Sequence, residues 1–122
     1  MQSLVEVADE FTALMAAGNL QAAARKYWAQ DISIVEPINR QEHKFQTVTG
    51  YSAAQIRLEN WLRGKAMEDV LVDGPFITGE NFALFIDMEI IDQATGDRAP
   101  FSEIAIYTVR DGKITEERHF HG

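Results

Sequence analysis

The residues best suited to do chemistry lie late in the chain. Glu103, Glu117, His119 and His121 bring carboxylates and imidazoles together within a short stretch. Groups of this kind take up and return protons, and a carboxylate beside an imidazole orients the ring and chooses its tautomer. Their spacing gives them a common direction. One parity between Phe101 and Val109 reads Phe101, Glu103, Ala105, Tyr107, Val109, and the other reads Ser102, Ile104, Ile106, Thr108. After Asp111-Gly112 one parity reads Thr115, Glu117, His119, His121, and the other Ile114, Glu116, Arg118, Phe120. A period of two argues for strands, and Asp-Gly between them argues for a hairpin. If Phe101, Ala105 and Tyr107 turn inward, Glu103 turns with them. Glu117, His119 and His121 then share one face of the neighbouring strand, ~6–7 Å apart along it. The last strand is polar on both parities, whereas a strand that only supported a core would divide more cleanly.

A plainer account exists for the same residues. Glu117 and His119 could be solvated on an exposed strand face, with Glu116 and Arg118 forming a cross-strand ion pair, and Glu103 could be a satisfied core group bonded to His119 or to a backbone amide. Structural networks of this sort do imitate sites. Metal ligation is the weaker alternative. His119 and His121, two residues apart, supply one edge of a site and no third ligand stands out, so no metal and no cofactor is assigned. His43, between Glu42 and Lys44 in a polar stretch, reads as solvated.

The elements that must position these groups can be read in order. Ser3-Leu4-Val5-Glu6 has the capping-box pattern, and Leu4, Val7, Ala8, Phe11, Leu14 and Met15 follow at helical spacing. Gly18 suits a helix stop. Asn19 is placed to cap a second helix over 20–29, which forms a tight hairpin with the first. Ile32 to Glu36 reads as a strand that Pro37 ends or confines to an edge. Phe45 to Val48 reads as a short edge strand. Ser52-x-x-Gln55 suggests another capping box, opening a helix with Ala53, Ile56, Leu58, Trp61 and Leu62 as its apolar stripe and Gly64 as its stop. A strand over 70–77 is interrupted at Gly74-Pro75. Phe82, Leu84, Ile86, Met88 and Ile90 then alternate along a long strand. Asp87 and Glu89, on the other parity, read as solvent-facing. Gln93 to Asp97 is a second hairpin loop before the closing pair.

Helices come first and a run of strands last, which indicates α+β rather than a parallel α/β arrangement. The expectation is a cone-like curved antiparallel sheet with the three helices of the N-terminal half on its concave face, forming one domain over 1–122. The open end of such a cone suits a small-molecule pocket.

Composition narrows the partners. The chain has 11 Lys and Arg against 19 Asp and Glu, a formal net charge of −8. That disfavours nucleic acid and anionic membrane surfaces, both of which need clustered positive charge. There is no Cys, so thiolate metal sites, cysteine nucleophiles and disulfides are all excluded. No leader pattern and no apolar run of bilayer length is evident, and a cytoplasmic protein is expected.

Several stretches together carry a resemblance. Ala16-Ala17-Gly18-Asn19-Leu20, Tyr27 through Asp31, Ile34-Val35-Glu36-Pro37 and Thr49-Gly50 before a helix resemble the nuclear transport factor 2-like superfamily. The ending, Tyr107 to Ile114 followed by Glu117-Arg118-His119-Phe120, is similar to its SnoaL-like branch. The resemblance spans nearly the whole chain, but its motifs mark fold more than activity. The superfamily includes ketosteroid isomerases, polyketide cyclases, dehydratases, epoxide hydrolases and inert binding modules, so fold alone decides little.

Ketosteroid isomerase places a general base just before a proline at the end of the first strand, and Glu36-Pro37 matches that position. Its two oxyanion donors fall here on Phe11 and Ala105, neither of which can donate, so the resemblance does not extend to steroid isomerisation. Losing even one such donor typically costs ~10²-fold. In polyketide cyclases of this fold a late acidic residue does the acid–base work, and Glu103, Glu117 and His119 lie in that region. The resemblance thus implies Glu36, Glu103, Glu117 and His119 as catalytic candidates. Phe11, Met15, Trp28, Trp61, Tyr107 and His121 are the candidates to line a pocket. A carboxylate held among such apolar groups would take up a proton nearer neutrality. Two functions remain open: a cofactor-independent acid–base enzyme acting on an apolar or polyketide-like substrate, or a non-catalytic module that binds a small hydrophobic molecule or dimerises. Aliphatic residues on the outer sheet face point to a homodimer.

Overall fold

The computed structural model describes residues 1–39, 42 and 44–121. His43 lies outside them. Helix α1 (Leu4–Ala16) starts at Ser3, whose side chain accepts from the Glu6 amide while Glu6 reaches back to the Ser3 amide. This closes the capping box read from sequence, a device worth ~1 kcal/mol. Val7, Ala8, Phe11 and Met15 form its buried stripe. Gly18, at φ +80°, ends the helix in a conformation that other residues adopt at a cost.

Helix α2 (Leu20–Tyr27) is shorter than the sequence suggested. Asn19 holds the cap position, but only its backbone carbonyl serves the helix, accepting from the Ala23 amide. Trp28, expected in the helix, instead opens strand β1 (Trp28–Asn39). Strand β2 (Lys44–Thr49) is the expected edge strand. Helix α3 (Tyr51–Leu62) begins after Gly50 and makes no side-chain cap, so Ser52-x-x-Gln55 is not a capping box. Its stripe is also displaced. Ala54 and Leu58 are buried with Trp61 beside them, whereas Ala53 and Ile56 face outward. The true stripe, Ala54, Arg57, Leu58, Trp61, includes a charged residue, which hides it from an apolar pattern search.

Strands β3 (Lys65–Thr78), β4 (Asn81–Asp92), β5 (Arg98–Arg110) and β6 (Lys113–His121) complete the chain. Among the described residues they join one six-stranded sheet in the order β2-β1-β6-β5-β4-β3. The sheet is mixed rather than wholly antiparallel, because β1 runs parallel to its neighbour β6. Pro37 does not end β1. Beyond Val35 the strand pairs with β2 alone, so the missing Pro37 N–H is asked for by no partner on the β6 side. Gly74-Pro75 does not break β3 either. The ladder to β4 slips between Asp73 and Phe76 and then resumes. Phe82, Leu84, Ile86 and Met88 point inward, and Asp87 faces solvent, as the alternation predicted. The core gathers these side chains with Tyr107, Ile114, Ile32, Ile34 and the buried faces of the helices.

Among the glycines of the described residues, Gly74 has the least room for a side chain. It sits at φ +127°, and a Cβ there would come within 2.9 Å of the Ala83 carbonyl oxygen. Gly74→Ala is therefore expected to destabilise the fold by ~1–3 kcal/mol, read as a lower urea midpoint with an unchanged slope.

Candidate functional site

The inward parities of β5 and β6 place Glu103, Tyr107, Glu117, His119 and His121 on one side of the sheet. Antiparallel register sets Ala105 directly opposite His119 and Tyr107 opposite Glu117. The small Ala105 side chain leaves room for the imidazole to lean across its neighbour. His119 uses that room to touch two carboxylates. Its Nδ1 lies 3.2 Å from Glu103 Oε2, and its Nε2 lies 2.9 Å from Glu117 Oε1. Ionised carboxylates only accept, so both ring nitrogens must donate and the ring is an imidazolium. The sequence reading expected one Glu–His pair choosing a tautomer. A ring held from both sides leaves no tautomer to choose.

Burial works against this cation and would push its pKa down. The hydrogen bonds and charges of Glu103 and Glu117 outweigh that effect, and His119 is raised to about 10. Glu117 is itself 5% exposed and has a further donor, Trp28 Nε1, at 2.5 Å from its Oε2. Trp28 comes from the first residue of β1, so the polar chain Trp28–Glu117–His119–Glu103 stitches three strands together. The view of Glu117 and His119 as solvated is excluded. Glu116 and Arg118 do pair, but along one strand, on its opposite face, rather than across two strands.

Glu36 occupies the facing wall but is not free. Arg57 from α3 forms an ion pair with it, including a bond from Nε at 2.8 Å, and Gln46 Nε2 donates at 2.7 Å. Glu36 thus meets a cation where the sequence suggested apolar neighbours alone. Burial draws the Arg57 guanidinium down from its usual range, while the Glu117 and Glu103 charges act the other way. Arg57 is the main residue that sequence reading missed. Its signal was a lone charge at helical spacing with Ala54, Leu58 and Trp61.

A cavity of about 80 Å³ lies between these walls. All ten residues singled out from sequence line it: Glu36, Glu103, Glu117, His119, Phe11, Met15, Trp28, Trp61, Tyr107 and His121. Arg57, Leu20, Ala24, Leu58, Ile86, Met88 and Phe101 complete the lining. One water needs ~10–15 Å³ on this measure, so the interior admits a ring-sized group. At the inner end Phe11 lies edge-on to Tyr107 at 4.9 Å between ring centres. At the outer end Trp61 packs against Phe101, and Phe101 against His121. Three carboxylates against Arg57 and the His119 cation leave the site with one net negative charge. Among the described residues no group of three His or carboxylate side chains is arranged to hold a metal ion.

Residues 2–121 match the family profile of the SnoaL-like domain. Among solved structures, a protein from Mesorhizobium loti designated a SnoaL-like polyketide cyclase is 33% identical, with a TM-score of 0.84 over 98% of this chain and 99% of that one. A second such designation, from Jannaschia sp. CCS1, is 16% identical and shares the fold at a TM-score of 0.77, covering 97% of this chain and 84% of that one. TerC, crystallised with polyporic acid, is also 16% identical, with a TM-score of 0.74 over 98% of this chain and 91% of that one. No curated protein matches the sequence.

The His119 cation fixes a pH dependence. Its folded pKa lies above its unfolded value, so the stability it lends is complete below 6.5, declines as pH rises, and is lost by about 10. At ~1.4 kcal/mol per unit that window is worth several kcal/mol. Denaturant midpoints should therefore fall between pH 6.5 and 10 in the wild type, and this slope should disappear in His119→Asn.

Proposed function

This chain belongs to the SnoaL-like domain family, and from that premise we propose that its cavity binds a small, largely apolar molecule and moves a proton on it. The observation that carries the proposal is the imidazolium of His119 clamped between Glu103 and Glu117 inside an apolar cavity. With both nitrogens committed, His119 is no base. Its work is to hold Glu103 at a set angle. Among the described residues Glu103 makes its side-chain hydrogen bond through Oε2 alone, so the other oxygen is available to take a proton from carbon.

In such a step the C–H bond breaks, its proton passes to Glu103, and the electron pair moves onto an adjoining carbonyl. Returning the proton at another carbon isomerises the substrate. Attack of the carbanion on a second carbonyl closes a ring, and the proton held by Glu103 passes to the alkoxide oxygen so formed. Arg57, held by Glu36, supplies the positive charge facing the developing anion. The polyketide-like class is supported by the designation of the M. loti relative.

A second reading has its own observation. Glu36 is paired with Arg57, and both nitrogens of His119 are satisfied, which is also what an inert binding module would show. A carbon acid separates the two. With 2-tetralone, the wild type should accelerate exchange of α-hydrogens for deuterium, and Glu103→Gln should lose ~10²-fold or more of that acceleration while still folding. Equal exchange by both proteins would remove Glu103 as the base. Binding without exchange would favour the module.

We also propose a homodimer, in the cytoplasm, of one domain per chain. Phe85, Ile104 and Phe120 are exposed and face each other across β4, β5 and β6, and Phe45 rests edge-on against Phe120. This apolar row on the outer face suits a second copy of itself. No helix among the described residues is long and apolar enough to cross a membrane. Light scattering after gel filtration should give twice the 13.7 kDa chain mass, and Ile104→Asp should give the monomer with the cavity intact.

A further inference from the structure

We infer that the Tyr107 hydroxyl is a hydrogen-bond donor reserved for an acceptor oxygen of the cavity's ligand: a carbonyl, an enol or a phenolate. The inference rests on the cavity being a ligand pocket, and it names the group that the ligand presents at the inner end. Tyr107 is fully buried and lines the cavity together with Glu103 and Glu117. Its hydroxyl oxygen has no hydrogen-bond partner among the described residues. Buried phenols are normally partnered, because a polar group stripped of water and left alone is penalised. Thr12, Tyr27 and Gln55 also carry unpartnered buried atoms, but none of them lines the cavity. Of these four residues with an unpartnered buried atom, Tyr107 is the one that belongs to the cavity wall.

The ring is held for the purpose. It stacks on Phe82 at 4.7 Å with 17° between planes, and Phe11 meets it edge-on. Neither neighbour offers an acceptor, and both fix where the hydroxyl sits. Burial first, and then the charges of Glu117 and Glu103, hold the phenol well above its ordinary range. Tyr107 consequently keeps its proton and donates; it does not act as a base. When Glu103 takes a proton from carbon, the electron pair collects on the neighbouring oxygen. A neutral donor there stabilises it without adding charge. This supplies, from β5, a donor that the side chains of Phe11 and Ala105 cannot provide.

The experiment compares Tyr107→Phe with the wild type, using 2-tetralone and tetralin, the same ring skeleton without the oxygen, by chemical-shift titration. The wild type should prefer 2-tetralone. Tyr107→Phe should lose about tenfold of that preference, the worth of one hydrogen bond, with tetralin affinity unchanged. The unliganded variant should melt at the same temperature or higher, since an unanswered polar group has been removed. A melting point lowered by several degrees would show that the hydroxyl is structural and overturn the inference. So would an unchanged preference for the ketone, or equal binding of both compounds by both proteins; in those cases the pocket survives and only the donor role fails. If neither compound shifts cavity resonances, the pocket reading fails and the inference falls with it.

Discussion

The interior of this protein depends on one cation held between two anions. An imidazolium taken out of water is strongly disfavoured, and so is each carboxylate beside it. Only their mutual contacts make the arrangement tenable. His119 satisfies Glu103 and Glu117 at once, and Trp28 takes up another position on Glu117. Removing His119 would leave two buried carboxylates without their complement. The chain of bonds crosses β1, β6 and β5, so the same contacts that set the site's electrostatics also fasten the parallel and antiparallel parts of the sheet.

The facing pair of Glu36 and Arg57 complements this cluster. It brings the first strand and the third helix to a common point, and it places a guanidinium across the cavity from two carboxylates. The site is thus not a bare acid in a greasy pocket. It is a set of five charges, three negative and two positive, beside apolar walls, in which proton affinity and orientation are set by neighbours rather than by solvent. Ala105 stands opposite His119 in the ladder, and the imidazole reaches Glu103 on the same strand as Ala105.

The two faces of the sheet divide the molecule's tasks. Inward parity carries the core and the cavity. Outward parity carries Phe85, Ile104 and Phe120 in a row that a folded monomer leaves in water. Helices α1 and α3 cover only the inner face, and their packing is what turns a curved sheet into a container. Arg57 and Trp61 reach the cavity because the buried stripe of α3 runs through them.

By itself the amino-acid sequence determined the element order, the closing hairpin and the parity of its side chains. Alternation in a strand is a local geometric fact, and so Glu103, Glu117, His119 and His121 could be assigned to one face before any strand was placed. The capping box at Ser3 was legible for the same reason, since its partners lie three residues apart. What lay outside reach was pairing between distant segments. That β1 runs parallel to β6, that Trp28 begins a strand and donates to Glu117, and that Arg57 closes on Glu36 are contacts across 89 and 21 residues. No local pattern encodes them. Tertiary structure alone decided that His119 would meet two carboxylates rather than one, because the charge of a titratable group is settled by whatever the fold brings within hydrogen-bonding distance of it.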